Sequence, residues 1–237
     1  MSQKQVKSKQ RVADHGEVFT AEREVNAMLD LVGNMFEQDE TKTFLEPACG
    51  DGNFLAEILR RKLSLVRSKY KPQFGSCADY ELHAVKAVMS IYGVELLEDN
   101  TKACRERLFK IWDDEYTAVC KDEASDDTRE VVRFILERNI LNGDALTLLQ
   151  SDGEPIIFSE WTFPDNSFNV KRRDFRLDVL MSENPDEENY MQEAQLSLFG
   201  DAPNSIDFWE EDPDTHEKIP KPVKTFELCH YKSIKEQ

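Results

Sequence analysis

Residues 44–54, FLEPACGDGNF, constrain this chain more than any other stretch. A short apolar run ends in Glu46. Gly50 and Gly52 then bracket a tight turn, and a helical apolar pattern begins at Asn53 and Phe54. A strand–turn–helix hinge of this kind needs glycine, because a Cβ blocks the close approach of ligand to backbone. The acid at the strand tip, where a pyrophosphate-binding turn carries a third glycine, disfavours phosphate and suits a group bearing an amine or another cation.

Two more strand-tip carboxylates follow in series. Glu95 closes IYGVE (91–95), and Asp144 lies in NGDAL (142–146), followed by Ala145. An acid at the tip of the second strand is placed to hold a ribose diol, as in dinucleotide folds. Asp144 is placed to accept a hydrogen bond from an adenine amino group. Taken singly, each carboxylate reads as an ordinary solvated loop residue. Three in series with one glycine turn read as a nucleoside-binding edge.

Periodicity organises the rest. Apolar residues at helical spacing predict helices over 22–36, 53–69, 79–89, 98–112 and 128–138. Short strands are predicted at 43–46, 90–95 and 139–146, and the β-prone stretches 155–161 and 175–181 flank a turn-like PDNS. Strands alternating with helices imply a doubly wound, mainly parallel α/β sheet. The expected layout is a basic disordered arm over 1–11, one domain over 12–181, an acidic flexible segment over 182–217, and a C-terminal segment over 218–237 that docks back as a strand.

The formal charge of −17 argues at first against a nucleic-acid partner, since phosphate contacts need Lys and Arg. The charge is unevenly spread, however: 182–217 holds twelve acids and no Lys or Arg, which leaves the remainder only mildly acidic. KRRDFR (171–176) reads either as a phosphate contact or as a solvated hairpin edge. The five cysteines form no CxxC pair, so neither a zinc site nor a disulfide framework is expected. No apolar run approaches the roughly 20 residues of a membrane span. The N-terminus also lacks a secretory h-region, so a cytoplasmic protein is expected.

The order GEVFT (16–20), EPACGDGNF (46–54), IYGVE (91–95) and NGDAL (142–146) resembles the N6-adenine DNA methyltransferases of restriction–modification systems. The likeness is greatest to type I modification subunits and fused restriction–methylation enzymes, and it covers about residues 12–180. It implies a class I, Rossmann-like domain that binds S-adenosylmethionine. The family's cofactor-covering segment maps onto Phe19 and Thr20, with Ala21 where the family has proline. Its glycine loop maps onto Glu46, Pro47, Ala48, Gly50 and Gly52, continuing into Asn53 and Phe54. The ribose acid maps onto Glu95, and the adenine-side acid onto Asp144 and Ala145.

Active members of that family carry an Asn/Asp-Pro-Pro-aromatic tetrapeptide that holds and stacks the flipped adenine. This chain has none. Asn184 is the nearest counterpart for orienting the amine, but Pro185 is followed by Asp186 and Glu187. The resemblance therefore implies either adenine-N6 methylation of DNA, alone or with a partner subunit, or an accessory protein that binds cofactor and acts through partners. Within the acidic segment, Gln195, Leu196, Ser197, Leu198 and Phe199 resemble the pentapeptide that bacterial replication and repair proteins use to bind the sliding clamp. The same apolar residues would equally serve to pin the tail to its own domain.

Overall fold

A computed structural model describes residues 8–15, 20–33, 39–70, 72, 76–164, 167–182, 208–213 and 215–237. Helices α1 (Lys9–His15) and α2 (Glu22–Asp30) precede the first strand, β1 (Phe44–Glu46). Helices α3 (Asn53–Lys69) and α4 (Ala78–Met89) connect β1 to β2 (Ile91–Glu95). Helices α5 (Glu98–Cys120) and α6 (Asp126–Asn139) connect β2 to β3 (Ile140–Asp144). The three strands run parallel in the order β1-β2-β3, with Glu46 beside Gly93 and Glu95 beside Asn142. Glu46, Glu95 and Asp144, the last residues of the three strands, thus reach one edge of the sheet. A short antiparallel β4 (Leu149–Gln150) completes it.

Side-chain alternation decides what covers each face. Ile91 and Ile140 point into the main core, where Leu55, Leu59, Val85, Leu108, Trp112 and Ile135 from the four crossover helices are buried. Val94, with Tyr92 and Leu141, packs instead on Ile156, Phe158 and Leu177. That opposite face is covered by an antiparallel hairpin, β5 (Ile157–Thr162) and β6 (Asn169–Arg176), and by the short helix α7 (Leu177–Met181). The protein is α/β with a mixed sheet. Residues of all four crossover helices join the core on the Ile91 and Ile140 side of the sheet.

Two further antiparallel strands, β7 (Trp209–Glu211) and β8 (Lys218–Pro220), form a separate pair. Strands β9 (Lys224–Thr225) and β10 (Cys229–His230) both pair with β6. A closing 3-10 helix, Tyr231–Glu236, then buries Tyr231 and Ile234 in the main core.

Several sequence expectations are corrected. Helix α2 stops at Asp30 and turns through Leu31–Gly33, where glycine weakens the helix and Leu31 and Val32 are exposed. Helix α5 runs on to Cys120, because Tyr116 and Cys120 continue the buried stripe begun by Leu108 and Trp112. Residues 177–181 form a helical turn rather than a strand. There Asp178 accepts from the Val179 N–H at 3.0 Å and pairs with Arg176, closing the turn at the strand's end. Cys77 and Cys120 are joined by a disulfide linking the start of α4 to the end of α5. Linear spacing did not suggest that bond, since the pairing depends on how two helices cross.

One buried cation fixes the approach to β1. The Lys62 Nζ, 1% exposed, donates to the carbonyls of Glu40 (2.7 Å) and Lys42 (2.6 Å) and to Ser90 Oγ (2.8 Å). Its three donors are all satisfied, as a buried ammonium requires. Among the described residues, no helix is long and apolar enough to cross a membrane.

Candidate functional site

The turn between β1 and α3 owes its shape to two left-handed residues, Gly50 (φ 56°) and Gly52 (φ 87°). Gly52 has a second reason to be glycine. A Cβ there would sit 2.7 Å from the Cys104 Sγ on α5. Cys49, inside the turn, is buried and unbridged, and its N–H donates to the Val94 carbonyl at 3.0 Å. The turn is therefore packed down onto β2 and α5.

Glu95 clamps it. Its Oε2 accepts from the Gly50 N–H at 2.9 Å, and its Oε1 accepts from the Leu97 N–H (3.0 Å) and Asn100 Nδ2 (3.1 Å). The carboxylate is only 8% exposed and keeps little spare acceptor capacity in this arrangement. A diol reaching Glu95 would have to share it with, or displace, the Gly50 N–H.

Glu46 is different. It is half-buried, and among the described residues its side chain accepts a long 3.4 Å hydrogen bond from the Ala48 N–H. Burial raises its pKa, and no cation is paired with it among the described residues. A desolvated carboxylate lacking a counterion is ready to accept from an ammonium. Pro47 and Ala48, next in the turn, are exposed. Asp144 Oδ1 accepts from the Leu146 N–H at 2.8 Å, forming a local turn at the third tip. Ala145 packs beside the second apolar cluster, and Phe54 packs against the main core.

Thr20 is brought to the same edge, with its carbonyl accepting from Asn53 Nδ2 at 3.1 Å. Arg11 of α1 pairs with Asp99 at the start of α5 (2.8 and 3.1 Å), so the N-terminal helix docks near the tip of β2. Phe19, Asn184, Gln195, Leu196, Leu198 and Phe199 lie outside the described residues.

Sequence reasoning missed four participants. Asn100 orients Glu95 from the first turn of α5, and Cys104 supports Gly52 from one turn further on. Asn142 Nδ2 donates to the carbonyls of Glu95 (2.8 Å) and Leu96 (3.0 Å), tying β3 to the end of β2. Arg107 Nη1 reaches Asn53 Oδ1 at 2.6 Å. Only the spacing of Asn100 after Glu95 was a usable signal. Two apolar side chains, Leu96 (55% exposed) and Leu146 (94% exposed), stand at the tips of β2 and β3. Exposed leucines at that edge are suited to a flat apolar ring.

The basic cluster at 171–176 is largely neutralised from within. Arg172 is buried and pairs with Asp174, Arg173 pairs with Glu160, and Arg176 with Asp178. Lys171 is exposed. Among the described residues, no group of acids, histidines and cysteines is arranged to hold a metal ion. Comparison with protein-family models, with curated proteins and with solved structures finds no match to this chain.

Proposed function

We propose that this chain is a class I, S-adenosylmethionine-binding domain of the DNA adenine-N6 methyltransferase type. The observation that carries the reading is the sheet edge itself. A glycine turn and three strand-tip carboxylates from successive parallel strands meet there, and the Gly50 N–H is bonded directly to Glu95. Parallel α/β sheets bind ligands at the carboxyl ends of their strands. The chemistry of the edge supports a cationic nucleoside: Glu46 for an amino group, Glu95 for a ribose, Asp144 for an adenine amine, and Leu96 and Leu146 for the faces of the ring. Thr20 and Asn53 close the side nearest the glycine turn. The cofactor would supply an activated methyl group, and the chain's own part is to orient it and exclude water.

A second reading, a cofactor-binding accessory protein, is favoured by one specific feature. The segment after α7 reads Asn184-Pro185-Asp186-Glu187, with carboxylates where a stacking ring is needed. Losing that ring removes about 1–3 kcal/mol of base stacking, and the added charge repels phosphate. The arginines of β6 are already paired with Asp174, Glu160 and Asp178, so that cluster offers a duplex little free charge.

Incubation with tritiated S-adenosylmethionine and unmethylated genomic DNA separates the two. The purified chain is expected to transfer methyl groups at well below about 1 min⁻¹, near the slow end of ordinary enzyme rates. Adding a partner subunit that carries an Asn-Pro-Pro-aromatic segment is expected to restore transfer if the chain is a modification subunit. Rapid transfer by the chain alone would show that another set of residues holds the base.

A further inference from the structure

We propose that Arg107 is the positioning residue of the cofactor turn, holding the glycine loop and the backbone at Thr20 together as one unit. The function of that unit rests on the cofactor reading above; the contacts themselves do not.

Arg107 lies on α5, three residues beyond Cys104, and its side chain is 25% exposed. Its Nη1 donates to Asn53 Oδ1 at 2.6 Å, and more distantly to Asp51 Oδ1 and the Asp51 carbonyl, both at 3.4 Å. These acceptors flank Gly52, one of the two left-handed glycines of the turn. The other half of the Asn53 amide is also committed, since its Nδ2 donates to the Thr20 carbonyl at 3.1 Å. The amide therefore relays between a guanidinium on α5 and the backbone of the N-terminal segment. The oxygen accepts from Arg107 and the nitrogen donates to Thr20, so the orientation of the amide is set from both sides.

Electrostatics make the arrangement unusual for a purely structural contact. Asn53 is the first residue of α3, a 17-residue helix whose N-terminus carries positive partial charge and has no side-chain cap. A cation is disfavoured there. Asp51, at 3.4 Å, answers part of that charge, and the short bond to Asn53 holds the guanidinium in place. Glu95 fixes the turn from one side through Gly50, and Arg107 fixes it from the other through Asp51 and Asn53.

The test combines affinity with local hydrogen exchange on the full chain, using S-adenosylhomocysteine as the probe. Arg107→Ala is expected to weaken binding by about tenfold, the equivalent of one charge-assisted hydrogen bond. It should also speed amide exchange in peptides covering 47–55 and 20–25, leaving 79–95 unchanged. Asn53→Asp keeps an acceptor for Arg107 and loses the donor to Thr20, so faster exchange is expected at 20–25 alone. The double variant Arg107→Lys with Asn53→Asp, which places a direct ion pair where the wild type has a hydrogen bond, should recover protection at 47–55 relative to Arg107→Lys. Unchanged exchange at 47–55 in Arg107→Ala, or faster exchange spread evenly through the protein, overturns the proposal. If the wild type binds no probe at millimolar concentration, the cofactor reading fails, and the exchange pattern still decides whether the relay exists.

Discussion

Gly52→Val is expected to lower the free energy of unfolding by about 4 kcal/mol, combining a strained left-handed backbone with overpacking. Both terms are visible in the structure. Gly52 sits at φ 87°, which a β-branched residue rarely adopts, and a Cβ would meet the Cys104 Sγ at 2.7 Å. The turn has no room to yield, since Cys49 is tied to Val94 and Gly50 to Glu95. Gly153→Val provides the control: its φ of 86° is nearly the same, but nothing lies within 4 Å of the added atom. That variant should lose only the backbone part, about 1–3 kcal/mol. Urea unfolding of both proteins measures the difference. Equal losses would mean that contact with Cys104 does not confine the turn.

Glu81→Ala is expected to cost about 3–5 kcal/mol, because it removes the shared acceptor of a buried network. Glu81 is 6% exposed and accepts from the phenols of Tyr116 and Tyr231 and from Lys232 Nζ at 2.6 Å. Tyr116 belongs to α5, whereas Tyr231 and Lys232 belong to the closing 3-10 helix, so one carboxylate joins the C-terminus to the helical layer. Tyr231→Phe, which leaves Glu81 paired with the other two, should cost only about 1–2 kcal/mol.

The same network sets a pH dependence. Burial alone would raise the Glu81 pKa, but the hydrogen bonds from Lys232, Tyr116 and Tyr231 outweigh it and hold the group below its ordinary 4.5. A depressed folded pKa means that the unfolded chain binds more protons. The contribution is therefore fully present above pH 4.5 and is lost as pH falls below it. Glu81→Ala should flatten that acid limb of the stability curve. A limb as steep as in the wild type would assign the acid sensitivity to other carboxylates.

What could be read from residues alone followed the local physics. Helix α3 was readable end to end, because glycine marks its start and Phe54, Ile58, Leu59, Leu63 and Val66 repeat at helical spacing. The strand tips at Glu46 and Glu95 were readable because each ends a short β-prone run, and Asp144 was readable as an acid within the third, NILNGDAL. Partnerships across the sheet were not. Nothing linear indicates that Arg107 reaches Asn53 across 54 residues, or that Asn142 holds the end of β2. The Glu81 network spans 150 residues, and no short-range pattern announces it. The basic run at 171–176 misleads for the same reason, since its arginines find Asp174, Glu160 and Asp178 only after the hairpin and α7 have formed.

Calorimetric titration of the full chain with S-adenosylhomocysteine and S-adenosylmethionine measures cofactor binding at the sheet edge. Saturable 1:1 heat is expected with both ligands. Glu46→Gln should weaken binding by about tenfold, by removing a charge-assisted bond to the ligand's amino group. Gln keeps the size of the side chain and an acceptor, so stability should change little. Glu95→Ala should weaken binding more, because it frees the Gly50 N–H as well as losing a ribose acceptor. Absence of heat with the wild type at millimolar ligand, or wild-type affinity in Glu46→Gln and Glu95→Ala alike, would contradict cofactor binding at this edge.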